Sequence, residues 1–222
     1  MLRDAVLVAG KDFRIEIRSR VGLNQIGPFA IAVLLLFGLA LGPDRRVLVP
    51  ASAGLFWVTV LLSTVLAVQR SYAIESADAA RDGLRLSGLD PAGIFLGKAT
   101  AVVAQLLVLE AALTVGVALL YGAHLSGALV LVAACVVGTL GLAAVGTLYG
   151  VVASGLRIRE TLLPLLFLPV VAPVLLAATK AWDEALAGTP SRAGGWLDVL
   201  VVFAVLYVAT GIVAFGPLLE DG

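Results

Sequence analysis

The chain has 222 residues, of which 61% are hydrophobic and 14% charged, and its mean hydropathy is +1.08. A soluble domain of this size carries about 45–50% apolar and about 25% charged residues, because a modest core must be wrapped in a large polar surface. One cysteine excludes a disulfide-stapled module, and 15 Lys+Arg against 15 Asp+Glu excludes a basic nucleic-acid binder and a disordered polyelectrolyte, which leaves an all-α integral membrane protein.

The first twenty residues have their own pattern. Leu2, Val6, Ala9, Phe13 and Ile17 recur at three- and four-residue spacing, while Arg3, Asp4, Lys11, Asp12, Arg14 and Arg18 lie mostly on the other face. The pattern predicts an amphipathic helix in the headgroup plane, joined to the first span by about residue 25, with basic residues suited to an anionic leaflet. It serves either as an anchor or as a moving part.

A membrane-crossing helix needs about 20 apolar residues, and six runs qualify. They are Ile26 to Gly42, Val47 to Val68, Ala99 to Tyr121, Leu125 to Ala153, Thr161 to Thr179 and Val199 to Pro217. The first follows Asp4, Asp12 and Glu16 and is followed by Pro43, so a retained helix is expected in preference to a cleaved signal. The fourth is long enough to tilt or contain a break. All six belong to one membrane domain, residues 1–222. Eleven Lys and Arg fall on the side of the N-terminal segment and four on the other, which predicts both termini in the cytoplasm.

Between the second and third runs, Gln69 to Lys98 is the longest polar stretch. Arg70, Glu75, Asp78, Arg81, Asp82 and Arg85 mix the two signs, and Leu84, Leu86 and Leu89 precede Asp90-Pro91. A short cytoplasmic helix of this kind suits docking on another protein; a solvated connector is the plainer reading. Within the third run stands Glu110, where an ionised carboxylate costs at least about 2.5 kcal/mol. It is expected to face the bundle, protonated or hydrogen-bonded, with Gln105 and Thr114 as polar neighbours. Either it lies on a substrate or proton path or it fixes helix packing.

Ala134, Gly138, Gly146, Gly150 and Ser154, at multiples of four, make the fourth run a close-packing helix whose partner is in the same chain or in a second copy. Pro164, Pro169 and Pro173 each remove a backbone donor from the fifth, predicting a kinked, buried helix. One histidine, His124, and one cysteine, Cys135, make neither a metal site nor a hydrolase triad. Gly93-Ile-Phe-Leu-Gly97-Lys98-Ala99 mimics a phosphate loop but is one residue short and lacks the magnesium-binding hydroxyl. No catalytic residue is assigned, and the chain is read as non-enzymatic.

Taken together, Lys11-Asp-Phe-Arg-Ile-Glu-Ile-Arg-Ser-Arg20, Gly54-Leu-Phe-Trp57-Val-Thr-Val-Leu-Leu-Ser63, Gln69-Arg70-Ser-Tyr72, Ile94-Phe-Leu-Gly-Lys98 and Leu163-Pro-Leu-Leu-Phe-Leu-Pro-Val-Val-Ala-Pro173 with Ala178-Thr-Lys-Ala resemble the heme exporter protein B family. That family supplies the membrane subunit of an ABC transporter in cytochrome c maturation. The chain departs from its pattern at Gln69, Asp78-Ala79 and Ser87-Gly88, all in the polar stretch.

The resemblance implies a six-helix ABC-2 exporter-type permease in the bacterial cytoplasmic (inner) membrane, working as a homodimer. It implies an ATPase subunit on a separate chain that binds the ATP, a heme-handling membrane protein, a heme chaperone and surrounding lipid, and no nucleic acid. The ATPase would dock on the loop carrying Arg70, Glu75, Asp78, Asp82, Leu84 and Leu86, and the N-terminal helix would transmit the motion. No cofactor is bound covalently; heme is the expected substrate, with Trp57 and His124 as candidate contacts. Two readings from other classes stand beside it: an ABC-2 permease for a drug, lipid or polysaccharide, and a membrane scaffold without an ATPase.

Overall fold

A computed structural model describes residues 1–19, 21–42, 44–77, 88–154 and 159–221. Its helices are α1 (Leu2–Ser19), α2 (Val21–Leu41), α3 (Arg45–Ala77), α4 (Pro91–Gly116), α5 (Ala128–Ser154), α6 (Arg159–Leu186) and α7 (Gly194–Asp221), and there is no strand among the described residues. α4 ends in one π-helical turn, Val117–Tyr121, and a short 3-10 turn, Pro190–Ala193, leads into α7. Six segments are long and apolar enough to cross a bilayer: Asn24–Leu41, Arg45–Tyr72, Pro91–Tyr121, Ala128–Val152, Leu166–Leu186 and Pro190–Leu219. The protein is thus a multi-pass, all-helical membrane protein.

The six expected runs recur in order, with shifts that have local causes. The third begins at Pro91 instead of Ala99, because Asp90 caps it: its side chain accepts the Ala92 N–H at 3.1 Å and Pro91 takes the first turn, where a missing donor costs nothing. The Asp-Pro pair therefore starts a helix. α5 starts at Ala128 because Gly127, at φ 72°, turns the chain, and a Cβ there would press on Pro190 and Ala185. The fifth run extends past Lys180, which pairs with Asp183 at 3.5 Å, while Ala181, Trp182 and Ala185 are buried between them. The polar stretch is correspondingly shorter than expected, since α3 continues to Ala77. Asp78, Asp82, Leu84 and Leu86 lie outside the described residues, as does the side chain of Glu75, whose backbone is in the last turns of α3.

α5 is the central helix and touches α3, α4, α6 and α7. Its small residues explain that position. A Cβ on Gly138 would come within 2.7 Å of the Trp57 ring, one on Gly146 within 2.7 Å of Val68, and one on Gly150 would enter the Tyr72 ring. Large side chains of α3 thus fill notches in α5, and these three glycines find their partner inside the chain. α6 remains helical through Pro169 and Pro173. The Tyr207 hydroxyl of α7 donates to the Val170 carbonyl, beside the Pro169 carbonyl that Pro173 deprives of its helical donor. α2 lies at the edge, held where the Tyr121 hydroxyl donates to the Leu34 carbonyl at 2.6 Å and its ring sits against Gly38.

Candidate functional site at the α1–α4 seam

α1 packs along α4, but not through the apolar stripe that its sequence displays. Val8 is 3% exposed, whereas Leu2, Val6 and Ile17 are 75%, 72% and 72% exposed. In a bilayer that stripe gains nothing by trading lipid for protein; close backbone approach decides the contact instead. A Cβ on Gly93 would lie 2.8 Å from the Met1 carbonyl and 2.9 Å from Asp4 Cβ, and one on Gly97 would lie 2.7 Å from both the Ala5 carbonyl and Val8 Cβ. The two glycines that mimic a phosphate loop are helix-contact residues. Their four-residue spacing carries that signal, beneath the likeness to a phosphate loop.

Polar contacts run down the same seam. Asp4 Oδ2 accepts the Asp90 backbone N–H at 3.3 Å. That donor, outweighing partial desolvation, holds the Asp4 carboxyl below the usual carboxylate range. Directly after Gly97, Lys98 is 2% exposed; its Nζ is 3.8 Å from Asp12 Oδ2 and 4.9 Å from the centre of the Tyr72 ring. Such a cation over an aromatic face contributes about 0.5–2 kcal/mol depending on desolvation. The Tyr72 hydroxyl donates to the Thr147 carbonyl at 2.8 Å. Asp12, Lys98, Tyr72 and Thr147 therefore link α1, α4, α3 and α5 at one level of the bundle.

Beside this link a half-open cavity of about 230 Å³ is enclosed by α1, α3 and α4, with Asp12, Glu16, Arg70 and Gln105 on its wall among apolar side chains. Arg70 Nη1 donates to Gln25 Oε1 at 3.2 Å, while its Nε is buried without an acceptor. Gln105 Nε2 stands 3.5 Å from Glu16 Oε1, a long contact. Arg70 and Gln105, given separate roles by the sequence, thus share one cavity wall.

Glu110 lies elsewhere. It is 1% exposed and accepts a hydrogen bond on Oε1 from the Thr139 hydroxyl of α5; Cys135, one turn away on α5, is also close to it. Thr114 donates to the Glu110 main-chain carbonyl at 2.7 Å, and Gln105 is no partner, since a residue five positions away on a helix points to a different side. Thr139 escaped the sequence reading because it sits beside Gly138 in a stretch that spells only packing. Trp57 is enclosed in the core with Phe56, whose ring stacks on Trp182 at 3.8 Å, and His124 is exposed in the turn between α4 and α5. The two candidate heme contacts are not brought together. Among the described residues, no three His, Cys, Asp or Glu side chains gather as a metal site.

The whole of this architecture falls within one family pattern, that of the CcmB protein, which matches residues 3–220. The chain is 30% identical over 204 residues to heme exporter protein B of Paracoccus denitrificans, covering 90% of this chain and 89% of that protein. It is 30% identical over 212 residues to heme exporter protein B of Pseudomonas aeruginosa, covering 94% of each, and 29% identical over 191 residues to that of Haemophilus influenzae, covering 84% of each. Because the match runs from the start of α1 to the end of α7, the protein belongs to the CcmB protein family.

Proposed function

We propose that the chain is the permease subunit of an ABC transporter for heme in cytochrome c maturation, seated in the bacterial cytoplasmic membrane with both termini inside. The observation that carries this reading is the end-to-end likeness to heme exporter protein B proteins, which extends through the α1–α4 seam as well as the spans. ATP is bound and hydrolysed by a separate ATPase chain, which docks on the segment from Arg70 to Leu89 and uses Glu75, Asp78, Asp82, Leu84 and Leu86. The permease functions as a homodimer beside a heme-handling membrane protein and a heme chaperone.

The seam supports a route for the coupling. α3 and α4 are the helices that leave and re-enter the bundle on either side of that segment, and Gly93, Gly97 and Lys98 bind the start of α4 to α1. ATP binding favours one of two arrangements of this corner because the ATPase binds that arrangement more tightly. The shift drives heme export or release of the heme-loaded chaperone. Glu110 with Thr139 is the polar point along the path through the membrane.

Deletion of the gene followed by heme staining of c-type cytochromes tests the assignment: holocytochromes should disappear and return with the wild-type chain. Unaltered staining would sink the function while leaving the fold intact. Combined replacement of Asp78, Asp82 and Leu84 should abolish co-purification of the ATPase without preventing membrane insertion, and normal co-purification would remove the docking assignment.

A further inference from the structure

The cavity between α1, α3 and α4 carries groups of opposite charge on its wall: the carboxylates of Asp12 and Glu16 and the guanidinium of Arg70. Lys11 and Lys98 stand 3.1 Å and 3.8 Å from the two oxygens of Asp12, whereas Arg70 donates from Nη1 to the neutral side chain of Gln25. Charged groups along a largely apolar wall mark a place that a ligand carrying complementary charge completes. A carboxylate and a guanidinium on one wall call for a ligand that carries a cation and an anion together.

We propose that this cavity binds the headgroup of an aminophospholipid of the phosphatidylethanolamine type. The phosphate accepts from the Arg70 guanidinium, and the primary ammonium donates to the carboxylates of Glu16 and Asp12. Three observations favour a lipid over a soluble zwitterion. The rest of the wall is apolar, with Phe13, Ala67, Val102 and Val108 to receive the glycerol and first acyl carbons. The cavity is half open, and the same helix that roofs it, α1, leaves Leu2 and Val6 exposed and sets the largely exposed Ile17 at the cavity's edge. The level is that of a headgroup, because α1 precedes the first apolar span and Arg70 stands near the end of the second. The inference needs only the membrane fold, so it survives if the heme reading fails.

Headgroup binding would wedge a lipid between α1 and α3 and thereby stiffen the corner next to the Gly93-Gly97 contact. The test uses the full chain, delipidated in detergent and titrated with phosphatidylethanolamine, phosphatidylcholine or phosphatidylglycerol, with retained lipid counted by native mass spectrometry. Phosphatidylcholine keeps the phosphate but its methylated ammonium donates no hydrogen bond; phosphatidylglycerol has no ammonium. Phosphatidylethanolamine should be retained about tenfold more tightly than either, the size expected for losing one charge-assisted hydrogen bond. Arg70→Gln and Asp12→Asn should each erase that preference. Ala104→Leu, which fills the cavity without touching either charge, should do the same while the protein still elutes as a folded species. Equal retention of the three lipids, or an unchanged preference in Ala104→Leu, overturns the proposal. Displacement of the lipid by free phosphoethanolamine at equal concentration would also overturn it, in favour of a soluble zwitterion.

Discussion

Two seams in this molecule depend on glycine, and they are built differently. At the α3–α5 seam, Gly138, Gly146 and Gly150 are notches that receive Trp57, Val68 and Tyr72, so the contact is side chain into backbone and encloses the largest rings of the core. At the α1–α4 seam, Gly93 and Gly97 let one backbone lie directly on another, with carboxylates and a lysine alongside and a cavity left open. The first seam interlocks rings with notches and leaves no slack. The second is the more extensive, but it lays backbone on backbone with polar contacts and an open cavity alongside, and because α1 packs mainly on α4 it can part from the bundle without unpacking the six spans. A seam that is to transmit motion between a partner and the membrane should be of the second kind.

The contrast can be broken most severely at the core. Gly150→Val forces a branched side chain into the space of the Tyr72 ring, which is itself anchored by its hydroxyl to the Thr147 carbonyl. Overpacking of a filled core costs about 1–3 kcal/mol, occasionally more, and the rigidity here argues for the upper end. Denaturant titration in micelles should show a loss of about 3 kcal/mol, and Gly138→Val should resemble it. Were either variant as stable as the wild type, the α3–α5 contact would not be the dry seam described.

Next comes the buried polar contact between α4 and α5. Glu110→Ala leaves the Thr139 hydroxyl without its acceptor and opens a void, at an expected cost of about 1–3 kcal/mol, whereas Glu110→Gln keeps an acceptor and should cost less than about 1 kcal/mol. Heme staining in the same variants separates the two readings of this residue. If Glu110→Gln is stable yet inactive, the carboxyl serves transport; if stability and activity fall together, it serves packing.

Gly97→Leu should do the reverse of the core variants. The leucine collides with the Ala5 carbonyl and Val8, so α1 is pushed off α4, yet the six spans lose little, because α1 lies outside them. Protease cleavage within residues 1–19 should accelerate, and holocytochrome should fall under the proposed function. Unfolding of the whole bundle in this variant would make the two seams one.

These differences bear on what the amino-acid sequence could reveal. Apolar length alone located all six spans in order, though the third and sixth begin well before the expected Ala99 and Val199, at Pro91 and Pro190, and the fifth runs past Thr179 to Leu186; the small-residue spacing identified α5 as the close-packing helix. The amphipathic pattern of α1 was legible, and Leu2, Val6 and Ile17 are exposed as in a helix lying in the headgroup plane; what the pattern did not show was the contact that its other face makes with Gly93 and Gly97 of α4. Lys98 was equally hidden, being a lone charge at a span boundary whose partners Asp12 and Tyr72 are distant in sequence and meet it only when three helices converge. Thr139 and Glu110 show the same limit, as a buried carboxylate announces that it needs a donor without saying which helix supplies it.

The smallest effect is also the most selective for the seam. Asp4 accepts the Asp90 N–H, the amide at the cap of α4, and this donor holds the carboxyl below the value it has when α1 is detached, about 3.9. A depressed folded-state value means the stabilisation is fully present above the detached value and is lost as pH falls through the folded one. Acidification from about pH 6 to about pH 3 should therefore loosen α1, read as faster hydrogen exchange at the Asp90 amide and in the first turns of α1. Asp4→Asn should flatten that response, since the side chain no longer ionises. Amides of α5 around Gly138 should not respond over the same range in either protein. Parallel loss of protection in α1 and α5 would mean that acid acts on the bundle as a whole, and the independence of the two seams would be gone.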